Sequence, residues 1–136
     1  MWIITSEFWG GNMKKNIVIV TEKEIVREVL KYYLLKSDFN VTTYNSGVEL
    51  LECSNKPDSF STIILDMTLP DITGIDLYDK LRKEDVTVPV IFVSSRNISS
   101  ELGRRLRKDP LLRYFQKPVD PEEIANEVRR LINEKL

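Results

Sequence analysis

The sequence contains no histidine and only one cysteine, Cys53. Without histidine, the chain cannot form a Ser-His-Asp triad or a Cys-His pair, and it lacks the usual ligand of zinc sites. It also cannot carry a phosphohistidine of its own. A single cysteine excludes an internal disulfide, which is typical of a reducing compartment and leads us to expect a cytoplasmic location.

Long apolar runs are missing as well, and so is a strong excess of either charge. No stretch reaches the roughly 18–20 apolar residues that span a bilayer, so we expect no membrane contact. The net charge of -1 provides no general attraction to a polyanion, so we expect no nucleic acid to bind through this domain. The 136 residues, 42% of them hydrophobic and 30% charged, are typical of one globular domain.

The first 13 residues differ from the rest of the chain. They contain Trp2 and Trp9, and Met13 resembles an ordinary start. The segment lacks the basic region and the long apolar region of a signal peptide. We interpret residues 1–13 as an upstream extension or a cloning remnant, with an apolar docking tail as the alternative, and residues 14–136 as the domain.

Short runs rich in β-branched residues alternate with segments of helical periodicity. Strands are predicted at residues 16–20, 40–44, 62–65, 90–93 and 111–116. The first helix, over residues 22–36, has an apolar face of Val26, Val29, Leu30, Tyr33 and Leu34, and the fourth has Ile98, Leu102 and Leu106. This strict alternation predicts an α/β fold, a doubly wound (βα)₅ domain with a parallel sheet and helices on both faces.

Polar residues follow four of the predicted strands directly. Thr21-Glu22 follows the first strand, Asp66 the third, Ser94-Ser95 the fourth and Lys117-Pro118 the fifth. Ligand sites of such sheets lie at the carboxyl ends of the strands, so these side chains are expected to converge. A carboxylate nucleophile, a hydroxyl, a lysine and a bound Mg²⁺ are the groups needed to handle a phosphoryl group.

Three segments resemble response-regulator receiver domains of two-component systems. Residues 63–74 (IILDMTLPDITG) resemble the phosphoacceptor loop, residues 89–95 (PVIFVSS) the fourth strand with its switch hydroxyl, and residues 114–118 (YFQKP) the fifth strand with its lysine. The resemblance extends from about Lys15 to the C-terminus. It implies a flavodoxin-like five-stranded sheet with strand order 2-1-3-4-5.

The resemblance also implies a role for individual residues. Asp66 would accept a phosphoryl group from a histidine kinase or a histidine phosphotransfer protein, so the domain would be a phosphoacceptor switch rather than an enzyme. Lys117 would bind the phosphoryl oxygens and Ser94 would donate a hydrogen bond to them. Tyr114 would move from an exposed to a buried position as Ser94 moves. The Lys117-Pro118 bond is expected to be cis, as in the family.

The metal site implied by the resemblance consists of Glu22, Asp66 and the backbone carbonyl of Thr68. The family has two acids after the first strand, whereas this chain has Thr21 followed by Glu22. A threonine cannot hold a metal-bound water as a carboxylate does, and its presence lowers the negative charge of the site. We therefore expect Mg²⁺ to bind, but more weakly than in a typical receiver.

A basic cluster adjoins the fourth helix and fifth strand. It consists of Arg104, Arg105, Arg107, Lys108 and Arg113. Such a cluster is commonly a solvated face. In receivers, however, the face of the fourth helix, fifth strand and fifth helix often binds an output partner or a second copy of the domain. Both interpretations stay open from the sequence, as does a homodimer.

The same architecture also supports other functions. A pseudo-receiver, which binds proteins without phosphorylation, is favoured by Thr21. A flavin-binding domain needs a glycine- and hydroxyl-rich loop after the first strand, and residues 21–24 (TEKE) contain no glycine. A DNA-binding regulator requires an output domain, and the last predicted helix ends near Leu136, so we expect none in this sequence.

Overall fold

Strands and helices alternate along the part of the chain that the computed structural model describes, residues 14–52 and 60–135. Residues 1–13 and Cys53 lie outside it. The strands are β1 (Asn16–Val20), β2 (Asn40–Tyr44), β3 (Thr62–Asp66), β4 (Val90–Ser94) and β5 (Leu112–Gln116). The helices are α1 (Glu24–Lys36), α2 (Gly47–Glu52), α3 (Gly74–Lys83), α4 (Ser100–Lys108) and α5 (Pro121–Lys135).

The five strands form one parallel sheet in the order β2-β1-β3-β4-β5. The predicted fold class and strand order are therefore confirmed. Strands β3 and β4 are buried along their whole length, whereas the edge strands β2 and β5 are partly exposed. Continuous apolar runs suit the central strands because both of their faces are covered by helices.

Alternate residues of the central strands build two separate cores. On one face, Val18, Ile63 and Phe92 pack with α2, α3 and α4. On the other face, Ile19 and Ile64 pack with residues of α1 and α5. The period of two along each strand divides the side chains between the faces. The two helical layers hold the strands so that their carboxyl ends form one edge.

Helix α4 shows where the predicted periodicity was wrong. Ile98 was expected to begin its buried stripe, but it precedes the helix and is exposed. The Ser99 side chain accepts a hydrogen bond from the Leu102 amide at 3.1 Å and caps the helix there. Helix α1 likewise begins at Glu24 rather than at residue 22, and Val29 of its expected buried face is 41% exposed.

Gly74 closes the loop that follows β3. Its amide donates to the Met67 carbonyl at 3.0 Å. A Cβ atom added to Gly74 would lie 3.0 Å from the Met67 Cα and 3.2 Å from the Asp66 carbonyl oxygen. The backbone at both ends of the loop therefore meets at a distance that only glycine accommodates without a shift.

Gly74→Ala is expected to lower the free energy of unfolding by about 1–3 kcal/mol, because backbone atoms must move apart. Urea denaturation measures this change. Gly103→Ala, within α4, is the matched control. Its added Cβ would lie no closer than 3.5 Å to a side chain, so it should stabilise the fold by roughly 0.5–1 kcal/mol. Equal effects at the two glycines would contradict this account of the loop.

Candidate functional site

Asp66 is the last residue of β3, the middle strand of the sheet, and only 1% of it is exposed. Its Oδ2 accepts a hydrogen bond from the Thr21 hydroxyl at 2.9 Å and another from the Lys117 Nζ at 3.2 Å. The Lys23 Nζ lies 3.7 Å from the same oxygen. The Thr68 amide donates to Oδ1 at 3.2 Å. Because an isolated buried carboxylate is very costly, these polar and charged neighbours offset the cost of burying the Asp66 carboxylate at the edge of the sheet.

Lys117 follows β5 and points back across β4 to Asp66. Its amide donates to the Ser94 carbonyl at 2.7 Å, which fixes the backbone against the end of β4. The Lys117-Pro118 bond is cis, as expected. Burial lowers the pKa of the Lys117 ammonium from its ordinary value, and the nearby Lys23 charge lowers it too, while Asp66 acts in the opposite direction. The predicted contact between Asp66 and Lys117 is present in the structure, with the Lys117 Nζ 3.2 Å from the Asp66 Oδ2.

Ser94, the last residue of β4, is 4% exposed and lies beside the end of β3. Its Oγ accepts a hydrogen bond from the Arg96 amide at 3.0 Å. Within the described residues the hydroxyl donates no hydrogen bond of its own, so its proton can be donated to another acceptor. Ser94, Thr68 and Tyr114 share the wall of a cavity of about 550 Å³ between the loops that follow β3 and β4.

Tyr114 of β5 places its hydroxyl inside the protein. The oxygen is buried and has no hydrogen-bond partner within residues 14–52 and 60–135. A buried polar atom without a partner typically costs about 1–3 kcal/mol. The hydroxyl of Tyr114, which was expected to move from an exposed to a buried position, is thus buried in this structure.

Tyr114→Phe is expected to raise the free energy of unfolding by about 1 kcal/mol, because it removes the unpaired hydroxyl and keeps the ring. The midpoint and slope of urea unfolding measure the change. Tyr32→Phe, on the exposed side of α1, is the control and should have little effect. Destabilisation of the Tyr114 variant would mean that the hydroxyl has a partner.

Glu22 does not join the cluster around Asp66. Its side chain is exposed and makes no hydrogen bond or ion pair within the described part of the chain. Thr21, by contrast, is 1% exposed and bonds directly to Asp66. Of the predicted site residues, the structure brings Asp66, Lys117 and the Thr68 backbone into contact, with Ser94 adjacent.

The donor set fits a magnesium ion poorly. Hard cations prefer carboxylate and carbonyl oxygens, whereas the Asp66 Oδ2 is already bonded to a hydroxyl and flanked by two ammonium groups. No group of three Asp, Glu, His or Cys side chains suited to a metal occurs among residues 14–52 and 60–135.

Lys23 is the site residue that the sequence did not reveal. It directly precedes α1, where a lysine is commonly a solvated charge. Its Nζ lies near Asp66, and only this direction of the side chain distinguishes it from Lys36, the exposed lysine at the end of α1. Neither helical periodicity nor a sequence motif predicts the direction of this side chain.

Two residues of the basic cluster form ion pairs with acidic residues of the same domain. Arg105 binds Asp79 of α3 through two nitrogens, at 2.8 and 2.7 Å, and Arg113 binds Glu127 of α5 at 2.9 Å. The remaining members, Arg104, Arg107 and Lys108, are exposed. Two of the five basic residues of the cluster therefore connect one helix or strand to another.

None of the helices within residues 14–52 and 60–135 has the length and apolar composition to cross a bilayer.

Comparison with known proteins assigns the family. A family model described as "Response regulator receiver domain" matches residues 17–129. A "Probable transcriptional regulator ycf29" from Porphyra purpurea is 31% identical over 122 residues, which are 88% of this chain and 57% of the relative. The "Alkaline phosphatase synthesis transcriptional regulatory protein PhoP" of Bacillus subtilis is 30% identical over 124 residues, or 88% of this chain and 49% of that protein.

The fold is shared as well. The structure of the Francisella response regulator 1452 receiver domain superposes with a TM-score of 0.80 at 23% identity, and the match covers 90% of this chain and all of that one. The chain spans about half the length of the two curated relatives described above. Its fold, its family match and the placement of Asp66 agree, and the chain belongs to the receiver-domain family of two-component response regulators.

Proposed function

We propose that the chain is a phosphorylation-controlled switch in which Asp66 accepts a phosphoryl group from a phosphohistidine. The donor is a histidine kinase or a histidine phosphotransfer protein, since response regulators are the partners of histidine kinases. The observation that supports this proposal is the pairing of the buried Asp66 carboxylate with the Lys117 Nζ at 3.2 Å. A cytoplasmic location follows from the same partnership.

The transfer needs a nucleophile and positive charge beside it. An oxygen of Asp66 attacks the phosphorus, the phosphorus–nitrogen bond of the phosphohistidine breaks, and the imidazole nitrogen keeps the electron pair and takes up a proton. The Lys117 ammonium pairs with the phosphoryl oxygens as their charge develops. The Ser94 hydroxyl, which donates no other hydrogen bond within residues 14–52 and 60–135, donates to one of those oxygens.

Receiver domains typically bind Mg²⁺ at an acidic pocket. In this chain, Glu22, which was expected to be a ligand together with Asp66 and the Thr68 carbonyl, does not join the cluster around Asp66. Because Thr21 stands where an acid would add charge, and two lysines flank Asp66, we propose that Mg²⁺ binds weakly.

Phosphorylation would act on the cavity shared by Ser94 and Tyr114. A phosphoryl group on Asp66 offers Ser94 a new acceptor and shifts the balance between two arrangements of the loop after β4. That loop leads into α4, whose Arg104, Arg107 and Lys108 are exposed. We propose the face of α4, β5 and α5 as the surface for an output partner or a second copy of the domain.

Intact-mass spectrometry after incubation with a phosphorylated histidine kinase tests this function. One phosphoryl group per chain, labile to hydroxylamine as an acyl phosphate should be, is the expected result. The competing function is a pseudo-receiver. Thr21 favours it because the Thr21 hydroxyl donates a hydrogen bond to an oxygen of Asp66 at 2.9 Å. A chain that gains no mass from several kinases and small phosphodonors would support the pseudo-receiver.

A further inference from the structure

Lys23 gives the Asp66 carboxylate a second positive neighbour. Its Nζ lies 3.7 Å from Oδ2, the same oxygen that Lys117 approaches to 3.2 Å. Two ammonium groups thus face one buried carboxylate, so the three side chains carry a net charge of +1. An acidic pocket built to attract a divalent cation has the opposite sign.

The backbone of Lys23 is held in place by Thr21. The Lys23 amide donates to the Thr21 Oγ1 at 3.1 Å, and this hydroxyl in turn donates to Asp66 at 2.9 Å. The Lys23 carbonyl accepts the Arg27 amide at 3.0 Å, which ties the residue to the first turn of α1. The threonine that replaces an acid therefore also fixes the lysine relative to the phosphoacceptor.

We propose that Lys23 supplies from within the chain the positive charge that receivers otherwise obtain from a divalent cation, so that Asp66 is phosphorylated with little dependence on Mg²⁺. This inference rests on the proposed phosphoacceptor function of Asp66. The Lys23 ammonium pairs with a phosphoryl oxygen, while Asp66 forms the new oxygen–phosphorus bond and the donor's bond to phosphorus breaks.

The same charge disfavours a metal. A cation that approaches Asp66 meets the Lys23 and Lys117 ammonium groups, and like charges at such distances repel. Lys23 is 48% exposed at its side chain, so solvent reduces the effect without removing it. If the ion pair between Lys23 and Asp66 were only a surface contact, its removal would change neither the metal affinity nor the metal dependence of phosphorylation.

The test compares initial rates of phosphorylation by phosphoramidate, in MgCl₂ and in EDTA, for the wild-type chain and for Lys23→Gln. The transfer breaks the phosphorus–nitrogen bond and releases ammonia. We expect the wild-type rates to agree within about threefold, and the Lys23→Gln rate in EDTA to fall about tenfold, which corresponds to about 1.4 kcal/mol in the barrier. Lys23→Arg should retain the wild-type behaviour.

Lys36→Gln is the matched control. It removes one positive charge from the last residue of α1, about 20 Å along the helix from Lys23. It should leave both rates unchanged. A wild-type chain that is phosphorylated only in MgCl₂, or a Lys23→Gln chain that remains equally active in EDTA, would overturn the role of Lys23 while leaving the phosphoacceptor function intact.

A second measurement does not depend on phosphorylation. Mg²⁺ titration of the ¹⁵N-labelled chain, followed by amide chemical shifts, should show about tenfold tighter binding to Lys23→Gln than to wild type, because a repelling charge is removed. Equal affinities would overturn the inference. If the wild-type chain takes up no phosphoryl group in either buffer, nor from phosphorylated histidine kinases, the proposed function fails, and this titration still decides whether Lys23 opposes the metal.

Discussion

Asp66→Asn is expected to reduce phosphoryl uptake by at least about 10²-fold from any donor, because an amide oxygen is a far weaker nucleophile than a carboxylate. The side chain keeps its size, and the Thr21 hydroxyl at 2.9 Å can still donate to the amide oxygen. Intact-mass spectrometry at fixed times gives the phosphorylated fraction. No other described residue offers a buried carboxylate next to Lys117.

Asp85→Asn is the matched control for this loss. Asp85 is exposed and has a φ of 64°, a conformation that asparagine tolerates about as well as aspartate. The substitution removes the same charge without touching the site, so phosphorylation should proceed at the wild-type rate. Uptake by Asp66→Asn at more than a few per cent of wild type would assign the phosphoryl group to another residue.

Lys117→Met is expected to slow phosphorylation by about 10²–10³-fold, the usual loss when one donor to a developing charge is removed. The methionine keeps most of the length of the side chain, which is 18% exposed. The effect should be smaller than that of Asp66→Asn because the nucleophile and Lys23 both remain. Initial rates with a small phosphodonor measure it.

Two further variants separate charge from position at this site. Lys117→Arg keeps the charge but replaces a compact ammonium with a planar group, and it should recover part of the lost rate. Lys80→Met, on the exposed side of α3, removes the same charge elsewhere and should have no effect. A Lys117→Met rate within threefold of wild type would show that Lys117 does not act on the phosphoryl group.

The sheet could be predicted from the sequence because its signals are local and repeated. Continuous β-branched runs, such as residues 16–20, identify strands buried on both faces. Their alternation with helices dictates parallel pairing. Because parallel strands bring their carboxyl ends to one edge, the meeting of Asp66 and Lys117, 51 positions apart, follows from topology.

Details that depend on a side chain's path could not be predicted. Glu22 and Lys23 are neighbours, and charge alone favoured Glu22 as the residue that serves the site. The structure instead leaves Glu22 exposed and turns Lys23 to Asp66, because α1 begins only at Glu24 and the preceding backbone is extended. The direction of one residue at a strand end is decided by such local geometry.

The limits of a helix are equally local. Ile98 continues the four-residue spacing of Leu102 and Leu106, yet the helix begins at Ser100 because Ser99 provides the cap. Periodicity detects a buried face, whereas a capping hydrogen bond decides where that face begins. The burial of the Tyr114 hydroxyl could likewise not be predicted from the sequence, because tyrosine is common in strands whether its hydroxyl is buried or exposed.

A crystal structure of the chain with beryllofluoride, a stable mimic of a phosphoryl group, tests the site most directly. We predict beryllium bonded to an oxygen of Asp66, with fluorine atoms within hydrogen-bond distance of the Lys117 Nζ and the Ser94 Oγ. A free Asp66 carboxylate at saturating beryllofluoride, or a complex in which Lys117 points away from the fluorine atoms, would contradict the account.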